Sequence, residues 1–357
     1  MSTYIKFLTY TFYKSLFFVF FVMGSLVYIL NLLSELDFFK DINIEIYFPL
    51  FLSLLNSPAM LFEMLPFIFL ITTQLFFIKL FNNNEIEVFK YSGLKNTKII
   101  LILSVLSILT GLIASILFYN FSSNFKNIYL KLKSQYTADG KYLAVITKNG
   151  LWIKDIANKK ILIINSSEID NNYLINNFIT EFNEDYTVLR NIKSSKIDIT
   201  DNEWKIFNAK IFKKNNYEIQ ELLKLKTNFN QDRIQSLYSN LSSLNIFQLY
   251  ELRENYKKLN YSVTEVELQL LKLASYPLYL FLITVFASLM MLKIKRLENT
   301  TFKIALGLFF SVIIYYINNF FFVLGSSEKI PLGFSVFFPL TIFVLINSVM
   351  MNKINDK

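Results

Sequence analysis

The sequence predicts a polytopic α-helical membrane protein: six transmembrane helices in a 3+3 arrangement around an inserted all-β domain. Three observations carry that prediction. Of 357 residues, 54% are hydrophobic and 17% aromatic, with mean hydropathy +0.40, more apolar surface than a soluble domain carries. Six apolar runs are each long enough to cross about 30 Å of hydrocarbon. A long polar stretch, Ser122 to about Val266, separates the third run from the fourth. The chain also holds 36 Lys and Arg against 27 Asp and Glu, so a good part of it must be wet.

In chain order, Met1 to Ser15 is a short segment with Lys6 and Lys14, and Leu16 to Leu36 is the first span. That run is too long for a signal-peptide core and no small-x-small cleavage site follows, so it reads as a retained helix. Glu35 to Ser57 is acidic and mixed, and its second half, Ile46 to Leu55, is apolar enough to lie in the interface. Pro58 opens the second span, which runs to about Leu80 with Pro66 inside it. A proline there costs one backbone hydrogen bond, which a neighbouring helix must restore.

The connection Asn82 to Lys98 is short and charged. In it Glu85 to Tyr91 places Ile86, Val88 and Phe89 among polar residues, and Gly93 follows as a helix stop. A short amphipathic helix at about 82–95 is expected, a contact surface between two spans. The third span is Ile99 to Phe121; the last three are Leu271 to Leu292, Phe302 to Leu324 and Leu332 to Met350. The organisation is therefore 1–121, 122–266 and 267–357.

Short loops set the orientation. The second-to-third connection carries Lys79, Lys90, Lys95 and Lys98, and the fourth-to-fifth carries Lys293, Lys295, Arg296 and Lys303. The other two short connections lack such an excess. Both termini are expected in the cytoplasm and the large domain outside.

The inserted domain reads as β. Leu143 to Thr147 and Leu151 to Ile156 flank Asn149-Gly150, a strong hairpin signal. Ile161 to Ile164, Tyr186 to Leu189, Lys196 to Ile199 and Trp204 to Phe212 are further short strands, as in a sandwich or open barrel. Ile246 to Leu259 looks helical and returns to the membrane. Trp152 is expected in the domain core.

Composition excludes much chemistry. There is no Cys and no His, hence no disulfide framework, no Ser-His-Asp triad and no common metal centre. None of the eight Gly forms a Walker A loop, and the basic residues are spread out rather than banded as for nucleic acid. No enzyme activity and no cofactor are expected. The intramembrane polar residues are the functional candidates. Glu63 either works in the bundle or reaches the interface. Lys272 either meets a lipid phosphate, pairs with Glu63 or snorkels. Asn318 and Asn319 either glue helices or line a cavity.

The order of these motifs resembles the LptF/LptG permease family over essentially the whole length. Pro58, Pro66 and then NEIEVFKYSG from Asn84 to Gly93 are similar to its proline pair and coupling stretch, with Asn84 in place of the common Ser. GLWIKD, Gly150 to Asp155, resembles LptG more than LptF. Lys272 with Pro277, Tyr315 with Asn318, and Pro331 with Pro339 resemble its fourth, fifth and sixth spans. The resemblance implies a jellyroll-like domain in the periplasm of a bacterial inner-membrane protein. It implies an LptB-type ATPase dimer gripping coupling helices through Asn84, Glu85, Ile86, Val88, Phe89 and Gly93, with ATP used only by that partner. An LptF-type permease, LptC- and LptA-type bridge proteins and lipopolysaccharide complete the implied partners. The implied lipid path includes Asn31, Glu63, Lys272, Tyr315, Asn318 and Trp152. Asn31 and Ala59 stand where LptG usually has basic residues, which moves the phosphate contacts elsewhere or implies a less phosphorylated lipid. Glu85 is either a charge-assisted anchor for the ATPase or a carboxylate favoured by its helix N-terminus. The alternatives are LptF of the same complex and a non-transporting scaffold joining an ATPase to an outside partner.

Overall fold

The computed structural model describes residues 3–40, 42, 44–136, 151–157, 160–170, 172–213, 216–231, 234, 240–258, 262–295 and 299–355. The chain divides into two compact units, Met1–Lys126 with Thr264–Lys357, and Asn127–Val263.

Among the described residues, six helices are long and apolar enough to cross a membrane. The first span is α1, Thr3–Phe38, and the second is α2, Tyr47–Asn82. The short helix α3, Glu85–Tyr91, separates them from the third span. That span runs through α4, Asn96–Ile113, a single π-helical turn, Ala114–Phe118, and α5, Tyr119–Ser134. After the β unit and helix α6, Ile246–Lys258, come α7, Thr264–Lys293, α8, Thr300–Ser326, and α9, Leu332–Asn355.

Two sequence expectations change here. Pro58 does not open the second span but lies inside α2, and Ile46 to Leu55 is not a separate interfacial piece. Helix α2 starts at Tyr47 with Pro49 in its first turn, where a missing N–H costs nothing.

The second and fourth spans form the buried centre of the bundle, while the first, fifth and sixth leave most of their surface outward. Pro66 cannot donate to the carbonyl four residues back, at Phe62. Tyr276 Oη on α7 donates to that carbonyl at 2.6 Å, and the two rings stack 4.7 Å apart. Small residues bring the other spans close. A Cβ on Gly111 would meet Pro277 Cα at 2.8 Å, which fixes the third span against the fourth. A Cβ on Gly307 would lie 2.1 Å from the buried Gln74 amide, whose Nε2 donates to Lys303 O at 2.9 Å. Asn347 Nδ2 on α9 donates to Leu282 O on α7 at 3.0 Å.

Among the described residues the β unit holds one antiparallel six-stranded sheet in simple sequential order, which fits a jellyroll-like domain. Its strands are β1 Leu151–Ala157, β2 Lys160–Asp170, β3 Tyr173–Phe182, β4 Val188–Asp198, β5 Glu203–Lys213 and β6 Asn216–Lys226. The Leu143–Thr147 strand and the Asn149-Gly150 turn lie outside the described residues. Strands β3 and β6 were not foreseen, and Lys196–Ile199 is the end of β4 rather than its own strand.

For β3 the reason is a phase change in the in–out alternation, which β5 shares, whereas β6 buries only Leu225. On β3 the buried positions run Leu174, then Asn177 and Ile179; on β5 they run Trp204 and Ile206, then Ala209 and Ile211. Each switch is made at an asparagine of positive φ, Asn176 at 51° and Asn208 at 49°, a conformation asparagine tolerates better than most residues. Strand β4 switches between Ser194 and Ile197 in the same cross-strand row.

The core is aliphatic around Trp204, whose Nε1 donates to Phe229 O at 2.7 Å. Trp152 is not in that core. It falls between the inward Leu151 and Ile153 and is 57% exposed. Asp155 is fully buried and accepts from both Asn228 N (2.9 Å) and Asn228 Nδ2 (2.8 Å), tying β1 to the segment after β6. Glu181 is 3% exposed and pairs with Lys160 at 2.8 Å and with Arg190.

Burial alone would push the Glu181 carboxyl up, but Lys160 and Arg190 hold it below its usual value of 4.5. A carboxylate lowered in the folded state contributes stability above its unfolded pKa and loses it as pH falls through the folded one. Both tryptophans of the chain, Trp152 and Trp204, belong to this unit. Urea unfolding followed by tryptophan fluorescence is therefore expected to weaken as pH drops below about 4.5. Glu181→Gln should lower stability at neutral pH and flatten that acid dependence.

Candidate functional site

Helix α3 is held at both ends by local chemistry. Asn84 precedes it with φ 55°, and Asn83 Nδ2 donates to Glu85 Oε1 at 3.0 Å. At the other end Gly93 adopts φ 80°, Gly93 N donates to Lys90 O at 3.0 Å, and Leu94 N donates to Phe89 O at 2.9 Å. This is a Schellman closure, and the expected Gly93 stop is where it was read.

The faces of α3 are distinct. Ile86 is 1% exposed and packs inward, so it is no part of an outward ridge. Val88 is exposed and Tyr91 is 92% exposed, so these two form the free apolar surface. Phe89 is half-buried with its ring 6.1 Å from Phe7 of α1. Glu87, not singled out from sequence, accepts from Lys295 Nζ at 3.2 Å just beyond α7. Its only sequence signal was its place two residues after Glu85. A groove of about 770 Å³ opens beside α3, lined by Tyr4, Val88, Phe89, Lys95 and Lys98 among others.

A second concavity, about 640 Å³, lies within the bundle between α2, α7, α8 and α9. Its size suits part of an amphiphile. Five polar residues named from sequence line it together: Glu63, Lys272, Tyr315, Asn318 and Asn319. Asn318 serves both readings given above, since it lines the cavity and its Nδ2 donates to Tyr279 Oη of α7 at 2.9 Å. Lys272 Nζ sits 5.1 Å from the Phe322 ring centroid. Leu70, Ile283 and Leu340 make the rest of the wall apolar. Tyr276, Tyr279 and Phe322 were missed, because adjacency across four helices leaves no trace in local periodicity.

The other two path residues lie elsewhere. Asn31 is buried on α1, accepts from Asn56 Nδ2 at 3.0 Å and donates to Ser57 Oγ at 3.3 Å. It fastens the first span to the second and is not in the cavity. Trp152 belongs to the β unit. Among the described residues no cluster of acidic side chains could hold a metal ion.

These features define a multi-span helical membrane protein with an inserted β domain and an intramembrane cavity. The family model of the lipopolysaccharide export system permease LptF/LptG matches residues 6–353, and the chain belongs to that family. It is a multi-pass inner-membrane permease subunit of lipopolysaccharide export. No curated protein matches it.

Replacing Tyr276 by Phe keeps the ring stack but leaves the Phe62 carbonyl unpaired. The expected cost is about 0.6 kcal/mol, the average for hydrogen bonds between spans, and at most about 1.7 kcal/mol. Thermal or SDS-induced unfolding in detergent, followed by helical circular dichroism, checks it.

Proposed function

We propose that the chain lifts lipopolysaccharide from the outer leaflet of the inner membrane and hands it through its β domain to LptC- and LptA-type bridge proteins. It does so beside an LptF-type permease, powered by an LptB-type ATPase dimer. In this reading the chain is the LptG subunit, which the Gly150–Asp155 stretch favours over LptF. In this reading both termini and α3 lie in the cytoplasm and the β unit in the periplasm, the orientation the Lys-rich short connections favour. The chain binds no cofactor itself; the nucleotide belongs to the ATPase.

The observation that carries the reading is the build of α3. It is seven residues long, closed at its C-terminus by a Schellman motif and anchored by buried Ile86. Glu85 stands in its first turn. Its outward side offers Val88 and Tyr91 with Glu87 alongside. A small rigid helix with an apolar knob and acidic first turn suits a groove on a soluble partner. Glu85 is carried over as the charge-assisted anchor.

The Glu85→Lys variant is expected to insert normally but to lose the ATPase on copurification. Its unfolding midpoint should be little changed, because among the described residues the Glu85 side chain has one hydrogen bond, an exposed one from Asn83. Retention of the ATPase at the wild-type ratio would remove Glu85 from the contact. Copurification of a second six-span subunit tests the pairing, and lipid in the purified bundle separates a permease from a scaffold.

A further inference from the structure

We propose that Glu63 and Lys272 split the polar part of the bundle cavity into a cation-accepting and an anion-accepting position, so that the headgroup held there carries both an amine and a phosphate. The inference rests on the reading of this cavity as a lipid site.

Both side chains line the same cavity of about 640 Å³ and each lies in the electrostatic field of the other. Yet no ion pair within 4.0 Å joins them. A carboxylate and an ammonium in apolar surroundings normally close on each other, because an unmatched charge there is costly. Here they do not, and both stay exposed beside the open cavity. Lys272 is steadied over the Phe322 ring at 5.1 Å. Glu63 also lies in the field of Lys126, near the end of the third span.

The neighbouring hydroxyl is already committed. Tyr276 Oη donates to Phe62 O, so its proton is spent inside the protein. Recognition of a charged headgroup in this part of the cavity therefore falls on Glu63 and Lys272. A headgroup with phosphates alone satisfies Lys272 but is repelled by Glu63. An uncharged one leaves both unmatched. A phosphate bearing an amine, such as a phosphoethanolamine group, satisfies both. Leu70, Ile283 and Leu340 accept the acyl part. An amine-capped phosphate on lipid A and the headgroup of phosphatidylethanolamine share this chemistry.

The test is native mass-spectrometric titration of the full chain in detergent with four lipids: bis-phosphoryl lipid A, the same lipid with one phosphate capped by ethanolamine, phosphatidylethanolamine and phosphatidylglycerol. The wild type is expected to bind the capped lipid A about tenfold more tightly than the uncapped, a difference of about 1.4 kcal/mol. Glu63→Gln should erase that preference by raising uncapped binding. Glu63→Asp should retain it, and Lys272→Gln should weaken both. Phosphatidylethanolamine binding that matches the capped lipid A, with phosphatidylglycerol weaker, assigns the same chemistry to phospholipid. Equal binding of capped and uncapped lipid A by the wild type, or a preference that survives Glu63→Gln, overturns the inference and leaves the export reading intact. Failure of both lipid A forms to bind counts against export. It overturns this inference too unless phosphatidylethanolamine alone binds and responds to Glu63→Gln.

Discussion

One backbone carbonyl, that of Phe62, organises the bundle. In hydrocarbon no water can satisfy it once Pro66 has removed its helical donor. Tyr276 fills the gap from the neighbouring span, and the bond doubles as a stack of two rings. A polar obligation in α2 thus becomes a fixed register between the second and fourth spans. Gly111 against Pro277 then sets the third span on the fourth, and Gly307 against Gln74 sets the fifth on the second. The cavity lies beside this junction, and Glu63 follows Phe62 directly in sequence.

The six spans and the inserted β domain were legible because they rest on length and average hydropathy, which survive any detail of packing. Helix α3 was legible for a different reason: Gly93 closes it with a backbone conformation few other residues accept. The strand map was less legible. Strict alternation of apolar and polar positions is the signal for a half-buried strand, and Asn176 and Asn208 break it in mid-strand. Trp152 misled by size. Its neighbours Leu151 and Ile153 claimed the inward face, and Trp204 took the central place. The start of α2 was misplaced because Pro58 looks like a boundary, whereas Pro49 is the proline in the first turn.

The candidate site was half legible. Glu63, Lys272, Tyr315 and Asn318 meet in one cavity, as isolated polar residues in apolar helices should. Asn31 was indistinguishable from them in sequence, yet its amide is consumed between α1 and α2. Around α3 the magnitudes decide what does the holding. The Glu87–Lys295 pair is exposed and worth about 0–1 kcal/mol. Full burial of Ile86 is worth about 1.5–3 kcal/mol. The short helix is therefore seated chiefly by its apolar underside, while the ion pair adds direction.

The π-helical turn at Ala114–Phe118 sets the angular position of everything that follows it in the third span. One surplus residue in a helix advances the downstream face by about 100°. That offset turns Phe118 and Tyr119 towards Phe62, at 6.3 and 5.2 Å between ring centroids. Shortening the turn by one residue would restore regular winding and swing Tyr119 about 100° away from Phe62. The C-terminal part of the third span would then point a different stripe at the second, so at this spot chain length, rather than side-chain identity, fixes the aromatic cluster.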